Sequence, residues 1–297
     1  MRSIHSNSVT TRSFLRSARL LVNLFRMKLI LAMILVAMMV HPLARGGEVH
    51  EAAELGNLAK VKTLLAQDPK LIDSTDAKGR TLLSRALLSG KKELLDFLLE
   101  KGATEEVFTA AAVGHTEKLA TFLKEDPKLV GGRDASGMSA LHWAALYGQK
   151  PSVASLLAAK ADVHALDADG FTPLHWATMF NKSETVELLL ANKADSTMKI
   201  EKYGWTPLRL AVIHGHLATA KVLLKGGADA NLKDASQIPL LHQAIIVGRK
   251  EMVELLLDYK SDINYRDGEG ETPLSEAIEQ GRGEIIQLLR QRGAREK

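Results

Sequence analysis

A chain of 297 residues with 46% hydrophobic and 25% charged side chains has the balance of a folded, soluble protein, which excludes disorder over most of its length. The lack of cysteine excludes a disulfide framework, a thiolate metal site, an iron–sulfur cluster and a cysteine nucleophile. A net charge of +4 would suggest nucleic acid or an anionic membrane as partner. The first acid, however, is Glu48, and seven basic residues (Arg2, Arg12, Arg16, Arg19, Arg26, Lys28 and Arg45) precede it. Residues 48–297 hold 32 basic against 35 acidic side chains, a balance of −3, so no nucleic-acid partner is expected.

In chain order, the first predicted element is an export leader. Leu29 to Val40 is an unbroken apolar run of 12, with Arg26 and Lys28 before it and Pro42, Ala44, Arg45 and Gly46 after it. That is the length of a signal-peptide core, whereas a membrane-spanning helix takes about 20 apolar residues. The expectation is a signal peptide or signal anchor over 27–47 and a periplasmic or secreted location. Residues 1–26 read as an extension ahead of a later start at Met27, or as an organellar presequence. An uncleaved anchor through Leu20–Val40 would instead tether the chain to a membrane by its N-terminal segment alone and leave the rest outside the cytoplasm.

From residue 48 onward the sequence repeats. Thr172-Pro173-Leu174-His175-Trp176-Ala177, Thr206-Pro207-Leu208-Arg209-Leu210-Ala211 and Thr272-Pro273-Leu274-Ser275-Glu276-Ala277 align, with a looser copy from Ser139 to Ala144. The alanines at 144, 177, 211, 244 and 277 are 33 or 34 residues apart. Four residues after each comes Gly148, Asn181, Gly215, Gly248 or Gly281, types that accept a positive φ at a helix end. Gly56, Gly90 and Gly114 extend the register to eight units. Eight residues past each of these lies Leu64, Leu98, Phe122, Leu156, Leu189, Leu223, Leu256 or Leu289. Each unit therefore predicts a short helix, a tight turn, a second helix and a loop ending in Asp and Gly. Thr caps the first helix and Pro opens it. Stacking of neighbours buries what no single unit could, and the leucines, at about 1.5–3 kcal/mol each, form the main stabilising column.

On these motifs the chain over 48–297 resembles the ankyrin repeat family. The resemblance implies an all-α solenoid of about eight helix-turn-helix units with short hairpin fingers, whose family role is to bind other proteins through the fingers and first-helix surface. Three departures stand out. Ala86 and Ala110 are only 24 apart, so one finger is missing between them. In unit seven Pro239 takes the place of the Thr cap, and the helix start is expected to shift there. Units one and three both finish with Asp-Pro-Lys-Leu, at Asp68–Leu71 and Asp126–Leu129, which suggests a duplicated two-unit block. Unit eight, with Arg290 where earlier units have Leu, is expected to act as the C-terminal cap that completes the stack.

No phosphate loop, dinucleotide fingerprint, zinc-protease motif or serine nucleophile elbow occurs, so no catalytic residue, cofactor or metal is expected. His142, His175 and His242 recur in one slot of the repeat and read as loop-tying hydrogen bonders rather than metal ligands. His214 and His216, two apart, are expected on different faces. A hydrolase using the finger carboxylates Asp167, Asp169, Asp234 and Asp267 is the weaker alternative, since Asp there serves loop bonding; a membrane-tethered spacer is another.

By the resemblance, the residue after each finger Gly and the two before each inter-helix turn line the concave side. The first set is Met138, Phe171, Trp205, Ile238 and Glu271. The second comprises Leu146 and Tyr147, Met179 and Phe180, Ile213 and His214, Ile246 and Val247, then Glu279 and Gln280. Aromatic residues are only 5% of the chain, yet Tyr147, Phe171, Phe180 and Trp205 fall on positions that the fold does not require. The expected partner-binding set is Met138, Leu146, Tyr147, Phe171, Met179, Phe180, Trp205, Ile213, His214, Ile238 and Val247, on a monomer gripping an unidentified protein. Trp143 and Trp176 are expected to wedge between units as core.

Overall fold

A computed structural model describes residues 47–233 and 237–295. The leader expected over 1–46 and the finger residue Asp234 lie outside them. Among the described residues the fold is all helical, with isolated bridges but no strand. The helices come in pairs: α1 (Glu48–Glu54) with α2 (Leu58–Gln67), α3 (Leu82–Ser89) with α4 (Lys92–Glu100), α5 (Val107–Val113) with α6 (Thr116–Glu125), α7 (Ala140–Tyr147) with α8 (Lys150–Ala158), and α9 (Pro173–Met179) with α10 (Ser183–Ala191). After these come α11 (Pro207–His214) with α12 (Leu217–Lys225), α13 (Leu240–Val247) with α14 (Lys250–Asp258), and α15 (Pro273–Glu279) with α16 (Gly283–Gln291). The chain divides into two compact units, one ending at Ala194 and one beginning at Asp195.

The local chemistry follows the repeat. Thr172, Thr206 and Thr272 each accept from the backbone N–H three residues on, at 3.3, 3.3 and 3.2 Å, with Pro at the first helical position. The first helices close on left-handed residues, for example Gly148 at φ +77° and Gly215 at +72°. In unit seven the start is not shifted. Pro239 occupies the same place as the other caps, five residues before the repeat alanine, and the helix simply begins without a side-chain cap. Its fixed φ of −68° is one a capping residue already adopts.

Six members of the leucine column, at 98, 156, 189, 223, 256 and 289, are buried. Val61 and Leu119 are buried like their counterparts in units two and four to seven, whereas Leu64 and Phe122, three residues after them, are only half-buried. These belong to the two units that finish in Asp-Pro-Lys-Leu, whose second helices run to ten residues. Both then enter a 3-10 turn, Pro69–Asp73 and Pro127–Gly131, in which Asp68 and Asp126 accept from the N–H of Lys70 and Lys128 at 3.1 and 3.0 Å. The sequence duplication is thus a structural one. No hairpin stands between α4 and α5, as the shortened spacing requires; instead Thr104 N–H donates to Asp73 at 2.7 Å and Glu105 binds Lys118 and His115, each at 2.9 Å.

Near the first helix Arg85 lies between Glu54 and Asp76, and Arg80 also reaches Asp76 at 2.9 Å. Burial alone would raise the Asp76 pKa, but the backbone N–H groups of Arg80 and Lys78 and the Arg80 guanidinium outweigh it and hold the group below its ordinary value. At Glu54 burial wins and the pKa is raised despite Arg85.

Candidate partner-binding surface

The first helices of the unit ending at Ala194 place two residues before each turn on one common face: Leu88 and Ser89, Ala112 and Val113, Leu146 and Tyr147, Met179 and Phe180. The second of these pairs, on α5, carries the least side-chain bulk of the row. A cavity of about 580 Å³ opens above it. Ala112 and Val113 lie at its floor, Leu87, Leu88, Leu95 and Leu99 of α3 and α4 on one side, and Trp143, Leu146, Tyr147 and Phe180 on the other. The missing finger continues the gap. A smaller hollow of about 180 Å³, between the fingers at Lys78–Arg80 and Asp134–Ser136, shares Leu87, Leu88 and Trp143 with the first.

Aromatic contacts stiffen this wall. Trp143 stacks with Tyr147 at 6.4 Å between centroids and Trp176 with Phe180 at 6.1 Å. The indole N–H groups of Trp143 and Trp176 donate to Asp134 and Asp167, each at 2.8 Å, which fixes both rings against the finger loops. Tyr147 sends its hydroxyl across α5 to the Leu87 carbonyl, and burial pushes its pKa up, so it remains a neutral donor.

Family models for ankyrin repeats match residues 147–234 (three copies) and 241–290 (many copies). The matched residues are ankyrin repeats. A 122-residue stretch, 40% of this chain, is 29% identical to the ankyrin repeat domain-containing protein SAT10 of Stachybotrys chartarum (strain CBS 109288 / IBT 7711). That match spans 6% of the relative's length.

Against this ankyrin frame the expected partner-binding set divides. Leu146, Tyr147 and Phe180 are half-buried and open onto the large cavity. His214, Ile238 and Val247 are half-buried in the second unit, where Ile238 and Val247 pack on Ile213 and Ile246. Met138, Phe171, Met179, Trp205 and Ile213 are buried, and their expected exposure is corrected. The residue after a finger Gly turns inward because the loop closes on it. Asp167 accepts the Phe171 N–H at 2.9 Å, and the ring lands 5.1 Å from Trp176. Trp205 is drawn in by the Ile200 bridge, with N–H to carbonyl at 2.9 Å, and stacks on Tyr203 at 4.5 Å. His214 and His216 are not on separate faces. Gly215 ends the helix between them and the two rings stack at 5.4 Å.

Ala112 and Val113 were not among the expected residues, although the Ala110-Ala111-Ala112 run and the short spacing beside it mark the place. The ring histidines do tie loops. His142 shares a hydrogen bond with the Phe171 carbonyl at 3.0 Å, His242 with that of Glu271 at 3.3 Å, and burial lowers the His142 pKa to about 4. Asp167 and Asp267 accept from two backbone N–H groups each within their own fingers. Among the described residues no group of His, Asp and Glu is placed to hold a metal ion, and no helix is long and apolar enough to cross a membrane.

Proposed function

We propose that this chain is a protein-binding scaffold that grips its partner on the face formed by the ends of the first helices, centred on Leu146, Tyr147 and Phe180. Ankyrin repeats generally mediate protein–protein interaction. The observation that carries the reading is the set of large half-buried apolar side chains beside the α5 hollow. Anchors of this kind, aromatic and already partly desolvated, supply most of the energy in an interface. The finger carboxylates serve their own loops, which supports a binding role over a hydrolytic one.

Truncating one such anchor costs about 2 kcal/mol or more, roughly thirtyfold in Kd. The double variant Leu146→Ser with Phe180→Ser is therefore expected to lose the partner that the unaltered chain captures from its native compartment, with helical circular dichroism retained. Equal capture by the folded variant refutes the surface. The same reading takes the leader at 27–47 as an export signal that delivers a monomeric binder outside the cytoplasm. Sequencing the mature N-terminus tests this: a start within 45–48 agrees with it, and an intact Met1 contradicts it.

A further inference from the structure

The hollow over α5 is lined mostly by apolar side chains, with most of its polar ones towards the inter-helix turns. Its volume of about 580 Å³ lies in the range of sites for small organic ligands, roughly 300–1,000 Å³. Of the polar lining side chains, Lys92, His115, Gln149 and Lys182 belong to inter-helix turns or the first residue of a second helix, Ser89 ends α3, and Asp96 lies one turn into α4. Away from the turns the lining includes the buried Met138 and Trp176.

Two of those turn residues are held in place by the packing. A Cβ on Gly114 would come within 2.7 Å of the Gln149 amide oxygen, and one on Gly148 within 2.7 Å of Lys182 Cδ, so both side chains lie flat across the preceding turn. Of the charged groups, Lys92 is paired with Asp96 and His115 with Glu105. Lys182 lines the cavity with no acid among the described residues bound to it. A cation at the mouth of an apolar, partly desolvated cavity favours an anion more than the same cation in open water would. The Tyr147–Leu87 bond runs from α7 to α3 across the hollow, so a flexible hydrocarbon enters it more readily than a partner's backbone does.

We infer that this cavity binds a small amphipathic carboxylate of the fatty-acid class, its apolar body over Val113 between Leu88 and Phe180 and its carboxylate on Lys182. The inference goes beyond the scaffold reading and does not depend on it. The test is a titration of the full chain with dodecanoate below its micellar range, followed by tryptophan fluorescence, since Trp143 and Trp176 line the cavity. Saturable binding of one molecule per chain is expected. Dodecanol and the Lys182→Glu variant are each expected to weaken binding about tenfold or more, whereas Lys182→Arg retains it. Val113→Trp fills the floor and is expected to abolish binding; Ser89→Phe replaces it if that variant loses helical circular dichroism. No saturable signal, equal affinity for dodecanol or for Lys182→Glu, or unchanged binding to the folded cavity-filling variant overturns the inference. Equal partner capture by the folded Leu146→Ser, Phe180→Ser variant, with dodecanoate binding to the unaltered chain intact, would count against the scaffold reading alone.

Discussion

His142 offers a stability measurement whose size follows from its surroundings. The Phe171 carbonyl only accepts, so Nε2 carries the proton and donates to it at 3.0 Å. Nδ1 is then the acceptor, facing the Ser139 N–H at 3.1 Å and its hydroxyl at 2.8 Å. Protonating Nδ1 would set two donors against each other in a fully buried site. Burial, the main cause, lowers the pKa from 6.5 to about 4. The folded pKa lies below the unfolded one, so the unfolded chain takes up the proton first as pH falls. The contribution is fully present above about pH 6.5, is lost between there and about 4, and changes no further below. Between pH 7.5 and 4.5 that amounts to about 2.5 kcal/mol. Urea unfolding of the unaltered chain and of His142→Gln, followed by tryptophan fluorescence, isolates it. The unaltered chain should lose about 2.5 kcal/mol more than the variant over that interval. Equal losses would show that the ring is not held neutral by its site.

Three further outcomes rest on the same structure. Phe171→Ala should cost about 3–5 kcal/mol in urea unfolding, because it empties a closed core position; a cost under about 1 kcal/mol would mean that the ring is not packed as described. Arg85→Ala leaves the half-buried Glu54 without its cation, while Asp76 keeps Arg80, and should destabilise by about 3 kcal/mol, again by urea unfolding, and a neutral result would show the cluster to be solvated. Gly148→Ala must accept φ +77° and a Cβ 2.7 Å from Lys182 Cδ, so it should lower stability by about 1 kcal/mol or more and weaken dodecanoate binding by displacing Lys182; unchanged binding would show that Lys182 is not held there.

The helix pairs were legible in the sequence because their signals are local. An alanine every 33 residues, a left-handed residue four places later and Thr-Pro at the start each specify one backbone feature. The duplicated Asp-Pro-Lys-Leu turns were legible for the same reason. What the sequence hid was direction. Phe171 and Trp205 stand out by composition, but only the closure of their fingers, by Asp167 in one case and Ile200 in the other, turns them inward. Likewise Gly215 reverses the geometry on which the expected separation of His214 and His216 rested. The α5 hollow was hidden differently, being made by atoms that are absent. It becomes visible when the pair before each turn is compared across units, since Ala112 and Val113 stand between Leu88 on one side and Leu146 with Tyr147 on the other.

The central claim is that the partner is held at the face bearing Leu146, Tyr147 and Phe180. A benzophenone side chain placed at Phe180, and separately at Lys124 on the exposed side of α6, tests it by light-induced cross-linking in the native compartment. One partner protein should be joined at 180 and not at 124. Adducts at 124 with none at 180 would contradict the account and move the binding surface to the second helices.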